Sequence, residues 1–155
     1  MPPCTRIAWI AVRMKPTDLA LNQAMGMRDG PPGAPHLLEL PLTPLLRNHL
    51  GTMHAAAQFA LAESASGECL RREFPTLVGA VLPVVRGVSM KYRKPATGDL
   101  FAFAQPDADT RQNLVANLAT RSAARATVEV ELKDAAGTVT FVGQFEWFIA
   151  KIPSS

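Results

Sequence analysis

"NHLGTMHAAAQFALAESASGECL", residues 48–70, carries a single acidic side chain, Glu63, between His54 and Glu68 in a run that is otherwise small and apolar. Ala55, Ala56, Ala57, Ala60, Ala62, Ser64, Ala65, Ser66 and Gly67 leave little bulk on any side, so other backbone can come close all round. A surface helix would show a clear polar face, whereas this composition suits a helix wrapped by a curling sheet. The spacing predicts a long helix over roughly 52–73. An ionised carboxylate inside such a wrapping is costly unless it is paired, so Glu63 needs either a partner or a purpose.

Outward from that helix, "HLLELPLTPLL" (36–46) reads as a first strand, and Pro41 and Pro44 suit an edge or a bent end. After the helix, "TLVGAVLPVV" and "GVSMKYRK" follow; Val88, Met90 and Tyr92 alternate with Ser89, Lys91 and Arg93, the pattern of a half-buried strand. "DLFAFAQ" is a further strand, and "ADTRQNLVANLATRS" has the spacing of a short surface helix. "ATVEVELKDAAGTVTFVGQFEWFIAK" is an antiparallel hairpin turning at "DAAG", with Val139, Phe141, Phe145 and Trp147 on one face of its second arm. The order is strand, long helix, then about five strands, which gives an α+β domain with one helix across an antiparallel sheet. Residues 1–35 read as an N-terminal extension. Within it "TDLALNQAMGMRD" forms a short helix capped by Thr17 or Asp18 and broken by "GPPGAP", and the main domain spans 36–155.

The 155 residues allow one ordinary domain, and 48% hydrophobic with 19% charged residues describes a packed chain rather than a disordered one. A net charge of +3 favours anionic partners, but no basic run, ligand-spaced Cys/His cluster or aromatic-basic motif accompanies it, so neither nucleic acid nor a metal is expected. Cys4 and Cys69 cannot build a disulfide framework and match no zinc spacing. "IAWIAV" is too short for a signal segment, and no run reaches the ~20 residues of a membrane span. The expectation is a cytoplasmic protein with no membrane partner.

The order of elements and several short motifs together resemble the hotdog-fold acyl-CoA thioesterases of the hydroxybenzoyl-CoA and phenylacetyl-CoA groups, over roughly residues 37–150. The matching letters are Asn48, Gly51, His54-Ala55-Ala56 and "LAES" with Glu63, then "MKYRKPATGDLFAFA" and "VEVELKDAAGTVTFVGQFEW". The resemblance implies a hotdog fold, one long central helix wrapped by a curved antiparallel sheet of about five to six strands. It also implies hydrolysis of a coenzyme A thioester without a cofactor, and homodimers, or tetramers made of them, with sites at the interface. The chain departs from the family where His-Gly-Gly has become His-Ala-Ala, which adds methyls where the thioester would approach, and where Gly67 replaces a hydroxyl four residues after the acid. Ser64 or Ser66 could substitute for that hydroxyl.

Thioester hydrolysis needs donors aimed at the oxygen that becomes negative and a base or nucleophile at the carbon. The first helical turn has unpaired N–H groups and the positive end of the dipole, so the N–H of Ala55 or Ala56 is the natural oxyanion donor. Asn48 holds the loop or touches the same oxygen; His54 steadies the loop before the helix; Glu63 activates a water or attacks the carbonyl itself, with a pKa raised by burial. Nine residues separate His54 from Glu63. Nine steps of about 100° put them on opposite faces, about 13 Å apart along the axis, so one chain cannot apply both to one carbonyl and the site must be shared by two copies. Gly51 and Phe59 would line the substrate, and Arg93 and Lys94 would meet the phosphates of coenzyme A. The bland alternatives are an ion pair for Glu63 across an interface, a plain turn for Asn48, and a solvated strand end for Arg93 and Lys94. His36 and His49 read as ordinary loop residues. Two other functions compete: an acyl-CoA- or lipid-binding hotdog protein without turnover, suggested by His-Ala-Ala and Gly67, and a hydroxyacyl dehydratase using His49. The second lacks the His-Phe-Pro and Pro-Gly letters of those enzymes.

Overall fold

The computed structural model describes residues 14–152. Two short helical pieces, the turn Pro16–Asp18 and α1 (Ala20–Met25), lead into β1 (Arg28–Asp29) and β2 (Leu38–Leu40). A single turn at Pro44–Leu46 precedes the long helix α2 (Ala55–Glu73), and another at Pro75–Leu77 precedes β3 (Val81–Tyr92). Then come β4 (Leu100–Pro106), α3 (Ala108–Thr120), β5 (Ala123–Lys133) and β6 (Val139–Lys151). The six strands make one sheet in the order β1-β2-β4-β5-β6-β3, antiparallel throughout. The central helix lies across β4 and β5 on the inner face. This is the α+β hotdog architecture.

Alternation along the strands supplies the inner face. Ala126, Val128, Val130 and Leu132 of β5 and Phe141, Phe145, Trp147 and Ile149 of β6 are buried, with Leu61, Ala62 and Ala65 of α2 against the sheet. Gly143 is part of this packing: a Cβ there would meet the Phe141 and Phe145 rings at 3.0 and 3.2 Å, too close without movement. The small residues of α2 let the sheet close in, and ten of its nineteen residues are buried. Phe74 and Pro75 end the helix, with Arg71 and Arg72 in the last turn where the dipole favours cations. Both guanidiniums grip Glu68, which is fully buried: Arg71 forks onto it at 2.7 and 2.8 Å and Arg72 reaches it at 2.6 Å.

Several boundaries differ from the sequence expectation. The helix starts at Ala55 rather than near Thr52, because residues 48–52 are closed into a turn and His54 supplies the cap. The segment 36–46 holds only three strand residues before Pro41. It is not an edge either, since β1 pairs outside it, using residues 28–29 of the presumed extension. Four strands, not five, follow the helix. Neither Thr17 nor Asp18 caps α1; Leu19 stands at the cap position, and Gly26, at φ +78°, ends the helix ahead of "GPPGAP". Asn22 of α1 is buried and donates to Ser64 Oγ at 2.9 Å, so this segment packs on the central helix. Val88, Met90 and Tyr92 are exposed rather than half-buried, because β3 is the outermost strand of the sheet, whereas the central helix lies mainly on β4 and β5. Pro83 is tolerated for the same reason, since an edge strand leaves one row of backbone groups unpaired. Cys4 and "IAWIAV" lie outside the described residues.

Candidate functional site

The start of α2 is built by two side chains. Asn48 Oδ1 accepts from the N–H groups of Leu50 (2.9 Å) and Thr52 (3.2 Å), and its Nδ2 donates to Thr52 Oγ1 (2.9 Å). Gly51, at φ +78°, supplies the left-handed step that this turn requires, and Arg47 donates to its carbonyl. His54 has extended backbone angles (φ −60°, ψ 140°) and accepts the Ala56 N–H on Nδ1 at 3.0 Å. The Ala57 and Gln58 N–H groups both go to the His54 carbonyl.

These bonds sort the candidate donors. Ala56, one of two expected oxyanion donors, is engaged by the His54 imidazole. Among the described residues no acceptor takes the Ala55 N–H, so Ala55 at the first helical position is the free one. His54 is exposed and acts as the helix cap, while Asn48 is committed to its turn. Tyr92 adds a residue that the sequence did not single out: its hydroxyl donates to the Ala55 carbonyl at 3.0 Å, and its ring meets Phe141 edge-on at 5.3 Å. The alternation of "GVSMKYRK" grouped Tyr92 with Val88 and Met90 on one side of the strand but did not set it against the helix start. Gln58 was also missed; it is buried, donates to the Met53 carbonyl, and its Oε1 has no partner among the described residues.

Glu63 sits two turns further on, half-buried, and among the described residues its carboxylate makes no hydrogen bond or ion pair. Burial pushes its pKa up from the usual carboxylate value. It shares a helix face with Phe59, four residues before, and Gly67, four residues after. Phe59 packs on Phe145 at 5.8 Å between centroids, and Gly67 faces Trp147, whose ring carbons stand 3.4 and 3.5 Å from where a Cβ would be. Glu63 therefore looks towards β6 and, beyond it, the uncovered β3 edge. Phe59 belongs partly to the core and partly to this face.

Neither serine replaces the missing hydroxyl. Ser66 is fully buried, donates to the Glu63 carbonyl at 2.7 Å and accepts from Trp147 Nε1 at 3.0 Å, which locks the helix to β6. Ser64 points the other way, to Asn22. Arg93 and Lys94 are exposed at the end of β3, with backbone N–H groups directed to the Thr140 carbonyl and no ion pair among the described residues. His49 is exposed on the Asn48 turn. His36, in the loop before β2, stands edge-on to Phe101 at 4.9 Å and 3.4 Å from Glu39. Among the described residues no helix is long and apolar enough to cross a membrane.

Comparison with known proteins places this geometry. A Pseudomonas aeruginosa protein of unknown function, described as a probable thioesterase, superimposes with a TM-score of 0.74 at 26% identity, covering 98% of this chain and 99% of its own. A Staphylococcus aureus thioesterase, solved as variants in which a Gln and a Glu are separately replaced by Ala, gives a TM-score of 0.64 at 16% identity over 85% of this chain and 99% of that one. A Bacillus halodurans protein solved with CoA gives 0.65 at 20% identity over 90% and 89%. No curated protein matches the chain. A family model described as a domain of unknown function, DUF4442, matches residues 34–149. The chain belongs to that family, and with it to the hotdog-fold thioesterase superfamily.

Proposed function

We propose that the protein hydrolyses acyl-CoA thioesters as a homodimer, with Glu63 of one subunit acting at the helix start of the other. One observation carries this reading: Glu63 is a half-buried carboxylate, unpartnered among the described residues, on an otherwise apolar helix face, its pKa raised towards the range useful to a base. The spacing of the substituted positions in the S. aureus thioesterase supports it. There the Gln precedes the Glu by fifteen residues, the same interval as from Asn48 to Glu63. The CoA in the B. halodurans structure supports the choice of carrier.

The uncovered β3 strand supports the dimer. It is twelve residues long, has no partner on its outer side among the described residues, and carries exposed Val84, Val88, Met90 and Tyr92. An edge so long and apolar invites pairing with a second copy, and the face bearing Glu63 looks towards it. In the reaction, the Glu63 carboxylate takes a proton from water as the water oxygen attacks the thioester carbon. The carbonyl electron pair moves onto oxygen and is held by the partner's Ala55 N–H at the positive end of its helix. The intermediate collapses by breaking the carbon–sulfur bond, and the CoA thiolate recovers the proton from Glu63. Arg93 and Lys94, next in the chain to Tyr92, would meet the CoA phosphates.

The test is thiol release from purified protein over short, medium, long and aromatic acyl-CoA substrates, with Glu63→Gln as control. Hydrolysis that falls ~10²-fold or more in the variant, with folding and dimerisation intact, supports the proposal. A wild-type protein that binds but never cleaves these thioesters would make it a binding module instead.

A further inference from the structure

A second feature continues the Glu63 face. Below Gly67 lies an apolar cavity of about 250 Å³, framed by Leu70 and Phe74 of α2, Val78 of the following turn, Leu114 of α3, Ile149 of β6 and Leu19 before α1. Gly67, Leu70 and Phe74 follow Glu63 by four, seven and eleven residues, so their directions around the helix stay within about 40° of it. Among the described residues the single charged side chain on the wall, Arg71, is committed to Glu68.

Gly67 stands between Glu63 and the rest of the cavity wall along the helix. Helical side chains lean over the turn that precedes them, so a side chain at 67 would cover the surface between Glu63 and the cavity. Glycine is a poor choice inside a nineteen-residue helix. It is not forced by crowding, because a Cβ at this position would be in ordinary contact with Trp147. Gly67 is itself partly exposed on the cavity wall, with the edge of the Trp147 ring beside it.

We infer that this cavity takes the acyl chain of the substrate, and that the preferred substrates carry an unbranched aliphatic chain of ten to fourteen carbons. The inference rests on the assignment of Glu63 to the reaction. From Glu63 to Phe74 is about 16 Å along the axis; an extended chain advances about 1.2 Å per bond, so about thirteen bonds span that path. The first few carbons would then lie over Gly67 and the remainder fill the space beyond. Aromatic acyl groups, short and broad, would leave most of it empty.

The experiment compares lauroyl-, butyryl- and benzoyl-CoA on wild type, Gly67→Leu, and Val78→Trp, which fills the same cavity from the turn. Gly67→Ala, whose methyl fits, is the control for the backbone change. Lauroyl-CoA should be the best substrate of wild type. Both bulky variants should lower its kcat/KM at least tenfold relative to butyryl-CoA, and Gly67→Ala should change that ratio less than threefold. Binding of lauroyl-CoA to Glu63→Gln protein, with and without Gly67→Leu, is measured by calorimetry. Loss of binding on adding Gly67→Leu supports the cavity even if no thioester is cleaved, which would sink the hydrolase reading alone. Butyryl- or benzoyl-CoA outrunning lauroyl-CoA in wild type, or an unchanged ratio in both folded bulky variants, overturns the inference.

Discussion

Replacing Ala55 by proline removes one hydrogen-bond donor and almost nothing else. Ala55 is the first residue of α2, where the N–H has no intrahelical acceptor and proline's fixed φ is already helical. The residue before a proline must avoid the helical region, and His54 already does so at φ −60°, ψ 140°. The Ala55 carbonyl stays in place for Tyr92, and the Ala56 N–H stays on His54. Thermal stability should therefore change little. If the Ala55 N–H holds the oxyanion, its loss should lower kcat by 10²–10³, about 2.7–4 kcal/mol of transition-state stabilisation, as for the loss of other single oxyanion donors. The measurement is steady-state thiol release on the best acyl-CoA, with circular dichroism and sedimentation to verify a folded dimer. A folded Ala55→Pro dimer at the wild-type rate refutes the role of this N–H. Removing the His54 cap by His54→Ala, which frees the Ala56 N–H, is the informative companion, because activity should persist while the helix loses about 0.5–2 kcal/mol of capping.

The other predictions follow from the same contacts. Mixed and refolded in equal amounts, the inactive Ala55→Pro and Glu63→Gln proteins should regain about a quarter of wild-type activity, because half the dimers are mixed and each has one intact site of two; no recovery would mean that a site lies within one chain. Hydrolysis should fall as pH drops through the raised pKa of Glu63, with its midpoint above the ordinary value of 4.5, in a kcat–pH profile. Desolvation of the charged form costs stability that is fully felt above this pKa and vanishes below 4.5, so Glu63→Gln should melt no lower than wild type at pH 8. Glu68 behaves oppositely: burial alone would raise its pKa, but the Arg71 and Arg72 guanidiniums outweigh that and hold it below 4.5. Its contribution is present above 4.5 and lost as pH falls through the lower folded value, so Glu68→Gln should flatten the acid end of a stability–pH curve. Arg93 and Lys94 replaced together by Ala should raise KM for acyl-CoA more than they lower kcat; an unchanged KM would place the phosphates elsewhere.

Residues 48–70 made the wrapped helix legible without coordinates, because burial on many sides needs small residues, and small residues can be counted in a sequence. Period-two alternation likewise marked the closing hairpin, and "DAAG" its turn, since both are local properties of the backbone. Glu63 stood out for the same reason: a charge in an apolar run is visible as letters. What stayed hidden depended on which segments meet in space. The commitment of Ser64 to Asn22 and of Ser66 to Trp147 crosses 42 and 81 residues. The Tyr92 hydroxyl reaches Ala55 across 37. The choice of Ala55 over Ala56 turned on one imidazole rotamer of His54. The exposure of Val88 and Met90 turned on β3 being the outer strand, a matter of strand order that alternation cannot express. Gly67 read as a missing hydroxyl in the sequence. Only the packing of α3, β6 and the turn after α2 around it shows a cavity there, because a void is defined by its walls and they come from segments far apart in the chain.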